Sequence, residues 1–470
     1  MQFVGAGKGP DQIGFMTAPA HLQAQLQAWF PPAVLARLRE AGQVAAELGY
    51  SLYLIGGGVR DMLLERPFEW DIDLVSETYG VQRLALALQQ RWGGQLQRFE
   101  QYGTAKLRLG EAEAPLEFDF ATARTEHYAY PGANPDVSFS SLEDDLIRRD
   151  FSINAMAVGL LPHQFGALID PFGGWRDLQT RSLRALHARK FLEDPVRGWR
   201  AARMSLMPGF VIETQTQVWL LEVMQAGTFD YFFSARMRRE LHKLLDKPDP
   251  LPYLRQVQSL AVLRCLDPAL DWPALEAFLQ AMPALAADFG EADAKSVCLL
   301  GLLAALSPSA HAQTLAGLEL TRPQQQAWQA WQQLGSEPVD WAQLRPSQIH
   351  ARLRSVPAEA LWAICAAAPG SALAVAVLAY WRTLRFIRPG VSGTIIKEWL
   401  PPGPQIRRIL DALLVAQLDG LIESEEQALA WARRLADEVG QDSASSPAAQ
   451  LNNGPQDLKD GLNDTYAAEL

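Results

Sequence analysis

Cysteine is nearly absent. The chain of 470 residues holds three, Cys265, Cys298 and Cys365, far apart in apolar stretches, with no CxxC pair and no neighbouring histidine cluster. That pattern excludes a disulfide framework and a structural zinc site, and it predicts reduced core thiols in a cytoplasmic protein. No apolar run approaches the roughly 20 residues that cross a bilayer, so no membrane partner is expected. The N-terminus lacks a basic region followed by an apolar run, so no signal peptide is expected. No fixed-period repeat is present, which argues against a solenoid. Net positive charge is also lacking. The formal charge is -11, and phosphate contacts need Lys and Arg, so the bulk balance taken alone argues against nucleic-acid binding. Arginines nevertheless cluster at Arg148-Arg149, between Arg176 and Arg203, between Arg236 and Arg239, and at Arg407-Arg408, while part of the acidic excess lies after Glu438. A basic cleft on an acidic body satisfies both facts.

What is present is ample apolar material, 49% of residues, in a chain long enough for two to four domains. Residues through Pro19 are rich in Gly and Pro and read as loose, and His21 to Leu48 carries helical periodicity broken at Pro31-Pro32. From Ser51 the pattern turns to short strands, LYLIGG, DIDLV, QLQRFE, TAKLRLG and PLEFDFATA, with one helical stretch, VQRLALALQQRW. This predicts an α+β segment with a small sheet. Beyond Arg184 the segments are long, Ala/Leu-rich and separated by Pro or Gly, which predicts an all-helical remainder. The last stretch, from Gln441, has no apolar face and is expected to be disordered.

The chemistry concentrates in LIGGGVRDMLLERPFEWDIDLV. A strand ends in Gly56, Gly57 and Gly58, a helix follows, and a second strand carries Asp71 and Asp73. Residues i and i+2 of a strand share a face, so the two carboxylates converge and suit a hard cation such as Mg²⁺. The glycines let a triphosphate approach the backbone and the helix N-terminus, with Arg60 adding charge. Alone, each piece has a plainer account, a solvated strand face or a tight turn.

Three further runs follow in order: DDLIRRDFSINAMA at Asp144 to Ala157, DPFGG at Asp170 to Gly174, and EDPVRGWRAAR at Glu193 to Arg203. Together the motifs resemble those of the tRNA nucleotidyltransferase and bacterial poly(A) polymerase family, in its bacterial-type class. Weaker echoes continue in SARMRRELHKLL and in VSGTIIKEWLPPGPQIRRILDALLVAQLDG. The resemblance implies a polymerase-β-like nucleotidyltransferase head with a small mixed sheet, followed by an all-α neck, body and tail. The corresponding spans are a helical lead-in at 1–50, the head at 51–183, the neck with a base-reading motif at 184–250, a tRNA-binding body and tail at 251–440, and a disordered tail at 441–470. It implies that Asp71 and Asp73 hold two Mg²⁺ ions, that Gly57 and Arg60 hold the nucleotide phosphates, and that Arg149, with Asp150 and Asn154, shapes the ribose and phosphate site. Asp119, in EFDFATAR, stands where some relatives carry a third carboxylate, or else is a strand-end surface acid.

In EDPVRGWRAAR the resemblance makes Asp194 and Arg197 a protein template. Cytosine and adenine each present an amino donor beside a ring-nitrogen acceptor, so an Asp acceptor beside an Arg donor suits both and mismatches uracil and guanine. Glu193 would hold the Arg197 guanidinium, and Arg200 and Arg203 would face phosphate. The plainer account of Asp194-Pro195 is a helix cap followed by a first-turn proline. Gly198-Trp199 replaces the aliphatic pair usual in relatives, and an interior glycine predicts a less rigid reader. The implied partners are the tRNA 3′ acceptor end and ATP and/or CTP. The activity is complete or partial CCA-end synthesis, with poly(A) polymerase as one alternative and a catalytically dead RNA-binding relative as another. None of the seven histidines precedes an Asp, so the His-Asp phosphohydrolase that some relatives append is not expected. The run TEHYAYPGANPDVSFSS corresponds to the family's loop for the switch from C to A.

Overall fold

The computed structural model describes residues 20–110 and 116–444. The expected loose stretch through Pro19 and residues 445–470 of the expected tail lie outside them. The first tail residues depart from expectation: the last helix runs Glu425–Ala444 and so extends past 441. Once a helix is nucleated, each added residue gains a hydrogen bond, which carries it beyond its apolar anchors. The chain forms two compact units, Met1–Gln280 with Asp293–Gln325, and Ala281–Ala292 with Gln326–Leu470.

The first unit opens with α1 (Gln23–Trp29) and α2 (Pro32–Glu47). Pro32 takes the first helical position, where a missing N–H costs nothing. Next come β1 (Tyr53–Ile55), α3 (Gly57–Leu63), β2 (Asp71–Ser76), α4 (Val81–Trp92), β3 (Gln95–Phe99), β4 (Thr104–Leu109), β5 (Leu116–Thr122), β6 (Arg124–His127), β7 (Asp136–Phe139), α5 (Leu142–Ile147), β8 (Ala157–Gly159) and β9 (Leu168–Ile169). Seven strands form one mixed sheet in the order β3-β4-β5-β2-β1-β8-β9, in which only β2 and β5 run parallel, while β6 and β7 make a separate hairpin.

Strand alternation sorts the two faces of this sheet. Ile72, Leu74, Phe118 and Phe120 are buried, and α4 covers that side with Leu84 and Leu88, its Trp92 ring 5.2 Å from Phe118. The opposite face carries Asp71, Asp73, Glu117, Asp119 and Lys106. One period-2 pattern thus builds the core on one side and a polar row on the other.

After α6 (Gly174–Gln179) and the short β10 (Ser182–Leu183), the chain becomes helical except for β11 (Val211–Ile212), which pairs with β10. The helices are α7 (Lys190–Glu193), α8 (Val196–Ser205), α9 (Thr214–Gln225), α10 (Ala235–Leu245), α11 (Leu251–Ser259), α12 (Trp272–Leu285), α13 (Ala294–Ala304), α14 (His311–Leu318) and α15 (Arg322–Ser336). Gly198 in α8 is closely packed. A Cβ there would stand 3.0 Å from Val262 and 3.2 Å from Leu220, so the glycine lets α8 seat closely, and Trp199 beside it is fully buried.

The second unit contains α16 (Pro346–Leu353), α17 (Ala358–Ala367), α18 (Ala372–Arg382), α19 (Gly393–Ile396), α20 (Pro404–Leu418) and α21 (Glu425–Ala444). Ile406, Ile409 and Leu413 of α20 meet Ala428, Ala432 and Ala436 of α21 in one core. Phe289 stacks between Trp362 and Trp381, at centroid distances of 6.0 and 4.8 Å. The three cysteines are all buried thiols.

Candidate active site

The parallel register of β2 on β5 sets Asp73 opposite Asp119 and Asp71 opposite Glu117. Four carboxylates therefore share one face. Asp71 and Asp73 reach solvent, but they stand among protein atoms that limit hydration. Burial in this surround, then the charges of Asp73 and Asp119, push the Asp71 carboxyl up to about 6. Burial also raises Asp73, against the lowering effect of Arg149. Crowded carboxylates with raised pKa values bind a cation in place of the lost hydration and relieve their mutual repulsion.

Asp119 is differently placed. Its Oδ2 accepts the Lys106 ammonium at 3.0 Å, and the same ammonium donates to Glu117 at 2.6 Å. Lys106 lies directly across from Asp119 on β4. Among the described residues no group of three or more His, Cys, Asp or Glu side chains is arranged to hold a metal. The Asp71/Asp73 pair nevertheless fits magnesium, which keeps waters and substrate phosphates as ligands beside one or two carboxylates.

Gly56 ends β1 with φ 70° and ψ -131°, a conformation that only glycine adopts readily. A Cβ on it would stand 2.7 Å from Arg149 Nη1, so its missing side chain leaves room for that guanidinium. Gly57 and Arg60 line the same cleft. Arg60 donates to Asn154 Oδ1 at 2.7 Å and to both oxygens of Asp61. Asn154 donates to Asp150 Oδ1 at 2.9 Å, and Arg200 donates to Asp150 Oδ2 at 2.6 Å. One continuous network thus joins α3, the 3-10 turn at Ser152–Asn154 and α8. Burial alone would raise the Asp150 carboxyl, but Arg200, Asn154 and the Phe151 amide hold it well below the usual range.

The adjacent arginines have separate environments. Arg148 is consumed by Glu126 and Asp145, whereas Arg149 shares Asp145 at 3.0 Å and lines the cleft with its buried Nε unpaired. At the entry to α8, Asp194 Oδ1 accepts the Val196 amide at 3.1 Å, but Asp194 is not the cap expected from Asp-Pro: Pro195 stands at the N-cap and the helix begins at Val196. Its Oδ2 accepts Arg236 Nη1 at 2.8 Å. Arg197 donates to the carbonyls of Lys190 and Arg148 and to Glu193 Oε2 at 3.4 Å. Arg203 donates to Glu240 at 2.8 Å. Asp194 and Arg197 therefore stand side by side on the cleft wall, each held from behind.

The cleft has a volume of about 1190 Å³ and is lined by eleven Lys or Arg and eight Asp or Glu residues. It is a net positive concavity in a chain of net charge -11. Gly57, Arg60, Asp73, Asp119, Arg149, Asp150, Asn154, Asp194, Arg197, Arg200 and Arg203 line it, and Asp71 and Glu193 do not. Sequence reasoning missed Lys106, Arg236 and the wall formed by Arg239, Lys243 and Lys247. The signal for Arg236, Arg239 and Lys243 was SARMRRELHKLL, whose basic residues fall at helical spacing; Lys247, beyond it, and Lys106 give no local signal.

A model of the poly A polymerase head domain matches residues 52–184. An A-adding tRNA nucleotidyltransferase of Geobacter sulfurreducens is 32% identical over 87% of this chain and 48% of its own length. The chain thus spans about half of that relative. One of Halalkalibacterium halodurans, also A-adding, is 30% identical over 84% of this chain and 91% of its own. The solved Thermotoga maritima CCA-adding enzyme complexed with tRNA superposes with a TM-score of 0.71 at 26% identity, covering 89% of this chain and 98% of that one. With Asp73 of the carboxylate pair, the glycine turn and the α8 wall in one cleft, these matches show that the chain belongs to the tRNA nucleotidyltransferase family.

Proposed function

We propose that the protein adds a nucleotide to the 3′ end of tRNA without a nucleic-acid template, and that its nucleotide is the terminal A of the CCA end. The observation that carries the reading is the cleft that combines Asp73, on the same strand face as Asp71, with Asp194 and Arg197 on a net basic wall. The two curated relatives matched over most of the chain, both A-adding, favour A over C. In this reading Asp71 and Asp73 would hold two Mg²⁺ ions, which when bound would supply Lewis-acid activation of the RNA 3′-hydroxyl and charge neutralisation at the triphosphate. Gly57, Arg60 and Arg149 orient the phosphates. The hydroxyl oxygen bonds to the α-phosphorus, the bridging α–β P–O bond breaks, pyrophosphate leaves, and the hydroxyl proton passes to water.

Asp194 and Arg197 offer the incoming base an acceptor and a donor. Arg200 and Arg203 supply positive charge along the wall, and Glu193 keeps the Arg197 guanidinium in plane. Body and tail helices hold the rest of the tRNA. The test is incubation of purified protein with tRNA transcripts ending before the first C, the second C or the final A, each with CTP, ATP or both. Extension of only the last transcript, with ATP, is the expected result. Stepwise extension of all three assigns complete CCA addition, and long ATP-dependent tails assign poly(A) synthesis.

A further inference from the structure

The order of strands fixes the side from which the acceptor RNA approaches. The glycine turn and Arg60 follow β1, on one flank of β2; β5, β4 and β3 lie on the other. In phosphoryl transfer the attacking and leaving oxygens are roughly in line. With the triphosphate on the β1 flank and the metal pair on β2, the RNA 3′ end must lie over β5, β4 and β3. That flank ends in exposed aromatic rings. Phe99, on the same sheet face as Thr104 and Lys106, is 39% exposed and lines the cleft. Tyr102 follows in the connecting turn, half exposed.

Gly103 then takes φ 58°, and a Cβ there would stand 2.5 Å from the Phe139 ring, so the bare turn lets that ring close over it. Phe139 in turn meets Tyr79 at a centroid distance of 4.6 Å, and both rings are exposed. Of these rings Phe99 alone lines the cleft, and an exposed aromatic ring beside a polar cleft is a surface on which something flat can stack. Three strand spacings, about 14 Å, separate β2 from β3, with β5 and β4 between them. Lys106, between the two, supplies positive charge.

We infer that Phe99, with Tyr102 in the adjoining turn, is the stacking surface for the 3′-terminal base of the acceptor RNA. The inference rests on the nucleotidyl-transfer reading above. Stacking on an aromatic ring tolerates any base and contributes substantially to single-strand binding, so the surface positions the primer while the α8 wall selects the incoming nucleotide.

The test uses the full chain and a tRNA transcript whose last base is a fluorescent cytosine analogue quenched by stacking. Wild type should quench it. Phe99→Leu should abolish quenching and raise KM for tRNA about tenfold while leaving KM for ATP unchanged, and Phe99→Trp should restore both. A wild-type quench and tRNA KM in both Phe99→Leu and Tyr102→Leu overturns the inference. Quenching by wild type without any extension sinks the activity reading alone, and extension with an unquenched base sinks the stacking surface alone.

Discussion

Removing the Asp150 carboxylate tests whether the network from α3 to α8 holds this part of the molecule together. Asp150 is buried and accepts from Arg200 Nε, Asn154 Nδ2 and the Phe151 amide. Asp150→Asn keeps an oxygen for Asn154 and Phe151 but loses the charge-assisted bond to Arg200. That bond stabilises by about 1.5–3 kcal/mol, and the lower half applies because Arg200 still meets water in the cleft. Asp150→Ala also strands the buried Phe151 N–H and the Asn154 amide, each costing about 1–3 kcal/mol, so the total approaches the roughly 3–5 kcal/mol of a broken buried pair. Urea unfolding at neutral pH should therefore rank wild type, Asn and Ala in falling order. The pH dependence follows from the depressed pKa. Its stabilisation is complete above the carboxylate's unfolded value, about 4, and is lost as pH falls below it. The gap between wild type and Asp150→Asn should hold from pH 8 to pH 5 and close in acid. Equal stability of the Asn and Ala variants, or an Ala variant within about 1 kcal/mol of wild type, refutes the reasoning.

Asp71→Asn should abolish nucleotide addition yet stabilise the protein in chelator. A carboxyl raised to about 6 destabilises the fold progressively as pH rises from about 4 to 6, so the variant should exceed wild type above pH 6 and match it below pH 4; a less stable variant at pH 7.5 contradicts the repulsion argument. Asp194→Ala should lose preference among the four nucleotide triphosphates by about 1–3 kcal/mol of discrimination, measured as relative kcat/KM on one tRNA. If the preference survives, Asp194 is only an acceptor for the Val196 amide and an anchor for Arg236.

The carboxylate pair was legible because strand alternation is a local rule, and Asp71 and Asp73 do share an open face. The helical remainder was legible from composition and punctuation. Lys106 was not, since its position opposite Asp119 depends on the register of β4 on β5, which no residue near either one announces. Arg236 reaches Asp194 across 42 residues of sequence, a contact set by helix packing. The close seating of Gly198 against Val262 and Leu220 was not legible, because helix propensity registers glycine only as a loss and not as a tertiary contact.

The single parallel pair in the sheet has a consequence for how the molecule forms. Asp73 and Asp119 meet only when β2 finds β5, with α4, β3 and β4 intervening in sequence. Closing so long a connection is entropically costly and slow compared with zipping the β3–β4 hairpin. A chain emerging from the ribosome therefore has no row joining Asp71 and Asp73 to Glu117 and Asp119 until β5 is synthesised and docks on β2.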